Sequence, residues 1–240
     1  MEYKRLNFED YFTICSSNYN NLETNLEIAN YISIPYTYKG ANYTAEYQVR
    51  FDTQRNCIQV ILQQTTSISD WRVNLDFPSK FYDKFTFDGR LIQLKIHRGW
   101  GNMWLVCQTA IRIEVAKLLQ EHPNCYIEIF GWSLGSGLAQ LAAEDIYFKF
   151  GIKPYLYTYG SVKPFFGKDT YNFVKACCAE VYNFYDHCDI VGYMVPLFGW
   201  RAINHCKVKL ERFSPIKLFK PKTYHTNYDV LGQYKDYSKN

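Results

Sequence analysis

The sequence predicts an α/β fold: a mostly parallel central sheet with helices on both faces and an antiparallel hairpin at its N-terminal side. Three observations carry this expectation. From residue 91 to residue 185 short β-rich runs alternate with longer helical patterns, and neighbouring parallel strands require such crossover helices. Two strand patterns joined by a four-residue turn precede this stretch. Finally, 240 residues with 48% hydrophobic content suffice for one sizeable core. The chain therefore reads as a single domain over residues 1–240, with residues 1–42 as a poorly patterned N-terminal extension.

Each element follows from local pattern. Residues 8–15 carry a short helical pattern inside that extension. Residues 43–52 alternate polar and apolar side chains and end at the turn-like Thr53-Gln54-Arg55-Asn56. Residues 57–63 then read as the second strand of a hairpin. Residues 91–96 are a further strand. Over 102–121 apolar residues recur at Met103, Val106, Cys107, Ala110, Ile111, Ile113, Leu118 and Leu119, the spacing of one helical face. Residues 126–130 form a short strand, 134–150 a second helix with Gly151 placed to cap it, and 155–159 a strand ending at Gly160. A third helix is expected over 169–178, a strand over 181–185, and a terminal hairpin over 207–212 and 216–219.

Composition narrows the function classes. The net charge of +4, from 27 basic and 23 acidic residues, is too mild to indicate nucleic-acid binding. The basic excess lies partly in residues 207–222, which leaves room for weak peripheral contact with an anionic membrane surface, although a solvated basic face is the simpler reading. No run of about eighteen apolar residues is present, so no transmembrane segment is expected. The eight cysteines show no Cys-x-x-Cys pair, and residues 1–10 are charged with no apolar core. Together these suggest reduced, buried thiols and a cytoplasmic location. Adjacent Cys177 and Cys178, placed on a helix, are expected to point to different faces. Aromatics reach 18%, with 22 Tyr and 17 Phe; most fill core and half-buried strand positions, and the excess leaves material for an apolar groove.

The chemistry lies in Gly131-Trp132-Ser133-Leu134-Gly135, a G-x-S-x-G pattern. It follows a predicted strand and opens a predicted helix, the strand–turn–helix setting of a nucleophile elbow in an α/β-hydrolase fold. Such a turn strains the nucleophile's backbone, and small neighbours let strand and helix approach. Ser133 is the candidate nucleophile. A serine needs a base, and the base an orienting acid, in the chain order Ser, Asp or Glu, His. Asp186 and Asp189 both follow the strand over 181–185, and His205 and His225 both lie beyond them. The residues alone leave each pair open.

In this order the sequence resembles the class 3 (fungal-type) lipase family over roughly residues 57–234. The carriers are Thr65-Thr66-Ser67 with Asp70-Trp71, His97-Arg98-Gly99-Trp100, the elbow at 131–137, Tyr157-Thr158-Tyr159-Gly160-Ser161, Asp189-Ile190-Val191, and His225 followed by Tyr228. The resemblance implies an α/β-hydrolase that cleaves carboxylic esters of lipids, acylglycerol or phospholipid. It favours Asp189 as the acid and His225 as the base. It also implies oxyanion donors at Leu134 and Thr65, no metal and no organic cofactor. Trp132 stands where the family carries His, and with Trp71 it is a candidate for substrate contact. Residues 69–77, the family's lid position, alternate as a strand does rather than a helix. A hydrolase-fold module that binds a lipid or protein partner without catalysis, and an acyltransferase or thioesterase using the same triad, are the alternatives.

Overall fold

The computed structural model describes residues 3–5, 14, 31–62, 76–185, 189, 198–203 and 206–209. The central sheet has seven strands, in the order β1 (Tyr31–Tyr38), β2 (Ala41–Asp52), β3 (Cys57–Leu62), β6 (Tyr126–Trp132), β7 (Tyr155–Tyr159), β9 (Glu180–Tyr185) and β11 (Cys206–Lys209). The first three run antiparallel. From β3 onward every pairing is parallel. A second, antiparallel sheet holds β4 (Ser79–Phe85), β5 (Leu91–His97), β8 (Phe165–Phe166) and β10 (Trp200–Arg201). The helices are α1 (Arg98–Glu121), α2 (Leu134–Phe150) and α3 (Lys168–Val174).

The predicted hairpin, the α2 bounds and the strands over 91–96, 126–130, 155–159 and 181–185 are present, each to within two residues. Gly151 closes α2 in the left-handed region at φ 72°, its N–H donating to Tyr147 O at 2.8 Å. Other expectations change. Helix α1 starts four residues early because His97 caps it, Nδ1 accepting from Trp100 N–H at 3.3 Å. Ile113 is 61% exposed rather than part of the buried face, which runs through Trp100, Met103, Trp104, Cys107, Ile111 and Val115.

One correction concerns the C-terminal half. Helix α3 ends at Val174, so Cys177 and Cys178 leave the helix and do not diverge: both are buried and their Sγ atoms lie 3.7 Å apart. Cys206–Lys209, within the first strand expected of the terminal hairpin, pairs parallel with β9, from Cys206 opposite Tyr182 to Lys209 opposite Tyr185. Residues 216–219, and residues 8–15 apart from the helical Ile14, lie outside the described residues. Within the stretch taken for an extension, residues 31–38 form the edge strand β1 and residues 3–5 pack against the sheet.

Alternation divides the sheet into two faces. Ile127, Ile129 and Gly131 face α2, together with Val60, Leu62, Tyr47 and Leu156. Among the described residues the two long helices share this face. The other face carries aromatic rows in register across β6, β7 and β9. Phe130, Tyr157 and Tyr182 stack at 5.5 and 5.4 Å, and Tyr159 stacks on Phe184 at 4.9 Å. Residues 3–5 cross its lower end. Tyr3 stacks on Tyr155 at 3.6 Å, and Arg5 lies over Tyr182 and pairs with Glu180. The fully buried Glu128 is held there by Arg55 and Gln59, as a buried carboxylate requires.

A second buried charge cluster ties the far half of α2 to its neighbours. Lys84 Nζ donates to Glu144 at 2.6 Å and to Asp145 at 2.5 Å, and Arg112 grips Asp145 through Nε and NH2 at 2.7 and 2.6 Å. Burial pushes Glu144 up to about 7, against the opposing pull of Lys84. Between pH 4.5 and 7 the unfolded chain has lost this proton while the folded chain keeps it. The folded state then binds more protons, so this group's contribution to stability falls as pH rises through that window. Denaturation midpoints at pH 5 and pH 7 are expected to show this decline in the wild type. Glu144→Gln is expected to flatten it; an unchanged slope in the variant refutes the assignment.

Candidate active site

Strand β6 delivers its last residue, Trp132, directly into Ser133, and α2 begins at Leu134. Ser133 sits at φ 55°, ψ −124°, a left-handed conformation that a non-glycine residue holds only when its surroundings impose it. The imposing contacts are visible. Ser133 N–H donates to Tyr159 O at 2.9 Å, tying the turn to the end of β7. Ser133 O accepts from Ser136 N–H at 2.9 Å and from Ser136 Oγ at 2.5 Å. Gly131 lets the two elements touch: a Cβ there would stand 2.1 Å from Gly135 O.

Ser133 therefore stands at the carboxyl end of the parallel strands and at the N-terminus of α2. Leu134 is the first residue of that helix, whose leading N–H groups and dipole favour negative charge. The next strand ends are laced at the same edge, with Gly160 N–H donating to Phe184 O at 3.1 Å. Strand β9 ends at Tyr185, and Asp189 follows four residues later, only 2% exposed. A carboxylate so deeply buried needs polar or charged company. Ser133 itself is 4% exposed.

Trp132 is buried in register with Tyr159, on the aromatic face and not the α2 face. His225, Thr65 and Trp71, and the alternatives Asp186 and His205, lie outside the described residues. Most of the lid position, residues 69–75, lies there too. Its end is described: Asp76 accepts from Arg98 Nε at 2.9 Å, Arg98 NH2 at 2.5 Å and Lys39 Nζ at 2.8 Å, and from Tyr38 OH. The Arg98 guanidinium holds the Asp76 carboxyl well below the usual carboxylate range. Sequence reasoning read Asp76 only as the polar partner in an alternation. Gln140 was also unmarked, yet it is fully buried and bonds to Ser136, Ser161, Val162 and Ile203. Neither carries a local motif.

Among the described residues no group of three or more His, Cys, Asp and Glu could hold a metal ion, and no helix is long and apolar enough to cross a membrane.

A mostly parallel sheet with a strained serine at the strand–helix turn of its carboxyl edge defines an α/β hydrolase. The chain belongs to the lipase (class 3) family, whose sequence model matches residues 59–198. It is similar to a secreted mono- and diacylglycerol lipase of Fusarium solani, 29% identical over 155 residues that make up 64% of this chain and 44% of that one. The chain thus spans under half the length of that relative. In structure it is similar to a Rhizomucor miehei lipase in complex with its propeptide (TM-score 0.65, 20% identity, covering 86% of this chain and 68% of that one). It also resembles a triacylglycerol lipase whose catalytic centre is a serine-protease triad (TM-score 0.67, 20% identity, 85% and 79%). These two likenesses establish the fold.

The expectation of a cytoplasmic location does not stand, because the matched relative is a secreted enzyme. The cysteines behind it carry no compartment signal. Cys57, Cys107, Cys125, Cys177 and Cys178 are free and buried, and burial raises the pKa of the first four, that of Cys107 to about 12. The reactive thiolate is then scarce in either compartment.

Proposed function

We propose that the protein is a serine esterase that cleaves carboxylic ester bonds of lipids, acylglycerols or phospholipids, through an acyl-enzyme intermediate. The observation that carries this reading is Ser133 at φ 55°, ψ −124° between β6 and α2, with Gly131 against Gly135. That strained turn lifts a hydroxyl to the sheet's carboxyl edge beside the start of a helix. His225 takes the Ser133 proton as Oγ attacks the ester carbonyl. Asp189 holds the imidazole in the required tautomer and stabilises the imidazolium. The N–H groups of Leu134 and Thr65 receive the oxyanion, and His225 then activates the water that releases the acid. Family membership and the chain order of these residues support the triad, as does the burial of Asp189 four residues beyond the end of β9.

The test is labelling with a fluorophosphonate, which phosphonylates an activated serine. Peptide mapping is expected to find the adduct on the peptide containing Ser133. An adduct elsewhere, or none at all, sinks the assignment.

A further inference from the structure

The carbonyl of Ser133 and the N–H of Leu134 belong to one peptide group. A trans peptide is planar, so its C=O and N–H point in opposite directions, and fixing the one aims the other. Ser133 O is held twice by a single residue, through Ser136 N–H at 2.9 Å and Ser136 Oγ at 2.5 Å. A serine bonding back to a carbonyl three residues earlier is common at a helix start. Here the hydroxyl has a further partner from another part of the fold. Val162 N–H, from the loop after β7, donates to Ser136 Oγ at 3.0 Å. Val162 C=O in turn accepts from Gln140 Nε2 at 2.9 Å, while Gln140 Oε1 accepts from Ile203 N–H at 2.8 Å. Ser136 and Gln140 are completely buried. In such a dry setting each bond is strong, and an orphaned partner is costly.

Because Ser133 is strained, the peptide that follows it would swing if allowed to relax. We propose that Ser136 is a positioning residue for oxyanion stabilisation. Its hydroxyl, pinned by Val162 N–H, clamps the Ser133 carbonyl and so aims Leu134 N–H at the charge that develops on the substrate. Gln140 is the outer brace, holding the Val162 peptide in place. The inference rests on the serine-esterase reading of Ser133. It adds a relay, from the Gln140 side chain through the Val162 backbone to the Ser136 hydroxyl, through which the helix interior sets the aim of a backbone donor.

A misaimed donor weakens the transition state and not the ground state, so the effect belongs in kcat. With a soluble short-chain ester, Ser136→Ala is expected to lower kcat about tenfold with KM unchanged, less than the loss of a whole donor. The rate of phosphonylation at Ser133 should fall in step, and Ser136→Thr, which restores the hydroxyl, should recover much of both. A variant that melts earlier but keeps wild-type kcat well below its melting point overturns the proposal, as does a change confined to KM. Wild type that neither turns over ester nor reacts with the phosphonate defeats the esterase reading instead, which separates the two failures. Gln140→Glu carries the test independently should the alanine variant not fold. Its carboxyl donates to Val162 C=O only when protonated, so its kcat should decline with rising pH relative to wild type while KM stays level. A pH profile parallel to that of wild type overturns the role of the brace.

Discussion

Ser133→Ala is expected to reduce kcat for a short-chain chromogenic ester by on the order of 10⁶-fold, to near background, the loss typical when a triad nucleophile is deleted. The size follows because neither of the two nearby described serines can substitute. Ser136 is buried and bonded to Ser133 O and Val162 N, and Ser161 is bonded within the Gln140 network, so neither hydroxyl is placed to attack. Binding should survive because the pocket loses one oxygen. Stability should change by less than about 1 kcal/mol, since no side-chain cap bond is made by Ser133 and alanine keeps the Cβ that the strained turn already accommodates. Steady-state kinetics with a thermal melt on the same sample checks both halves. Equal turnover by wild type and variant, both folded, removes Ser133 from the chemistry and favours the reading as a binding module.

What the sequence revealed depended on how local the signal was. The elbow is encoded within seven residues, by glycines whose smallness is needed at a single contact, so it could be read at sight. Helix α2 was bounded correctly because Gly151 and the Ala- and Leu-rich run are local too. The start of α1 was not, because its cap is a histidine ring, and residues 98–101 with two glycines look unlike a helix. The edge strands β1 and β4 escaped because each is defined by its partner's register more than by its own pattern. The vicinal cysteines were misplaced by extending a helix four residues too far. The braces Asp76 and Gln140 were invisible for a related reason: their meaning lies in contacts across 22 to 63 residues of sequence. The choice between two acids and two histidines came from family resemblance, and only the burial of Asp189 adds to it.

Gly131→Ala is the sharpest test of why the elbow needs glycine. A Cβ built there would lie 2.1 Å from Gly135 O, 2.4 Å from Gly135 C and 2.8 Å from Ala139 Cβ. The first two are backbone atoms, so no rotamer change relieves the contact; β6 and α2 must separate. That separation would loosen the shared core, where Ile129 and Ala139 are both completely buried. Overpacking usually costs about 1–3 kcal/mol, but a backbone-to-backbone clash with no yielding partner should exceed about 5 kcal/mol, the range reserved for exceptional substitutions. Gly40→Ala is the matched control. Gly40 has φ 76° with nothing within 4 Å of an added Cβ, so it carries only the left-handed backbone penalty of about 1–2 kcal/mol. Urea denaturation should find Gly40→Ala mildly weakened and fully reactive with the fluorophosphonate. Any Gly131→Ala that remains folded should react far more slowly, because Ser133 is displaced along with its turn. Similar denaturation midpoints for the two variants would mean that close strand–helix approach is not what the first glycine of the motif supplies.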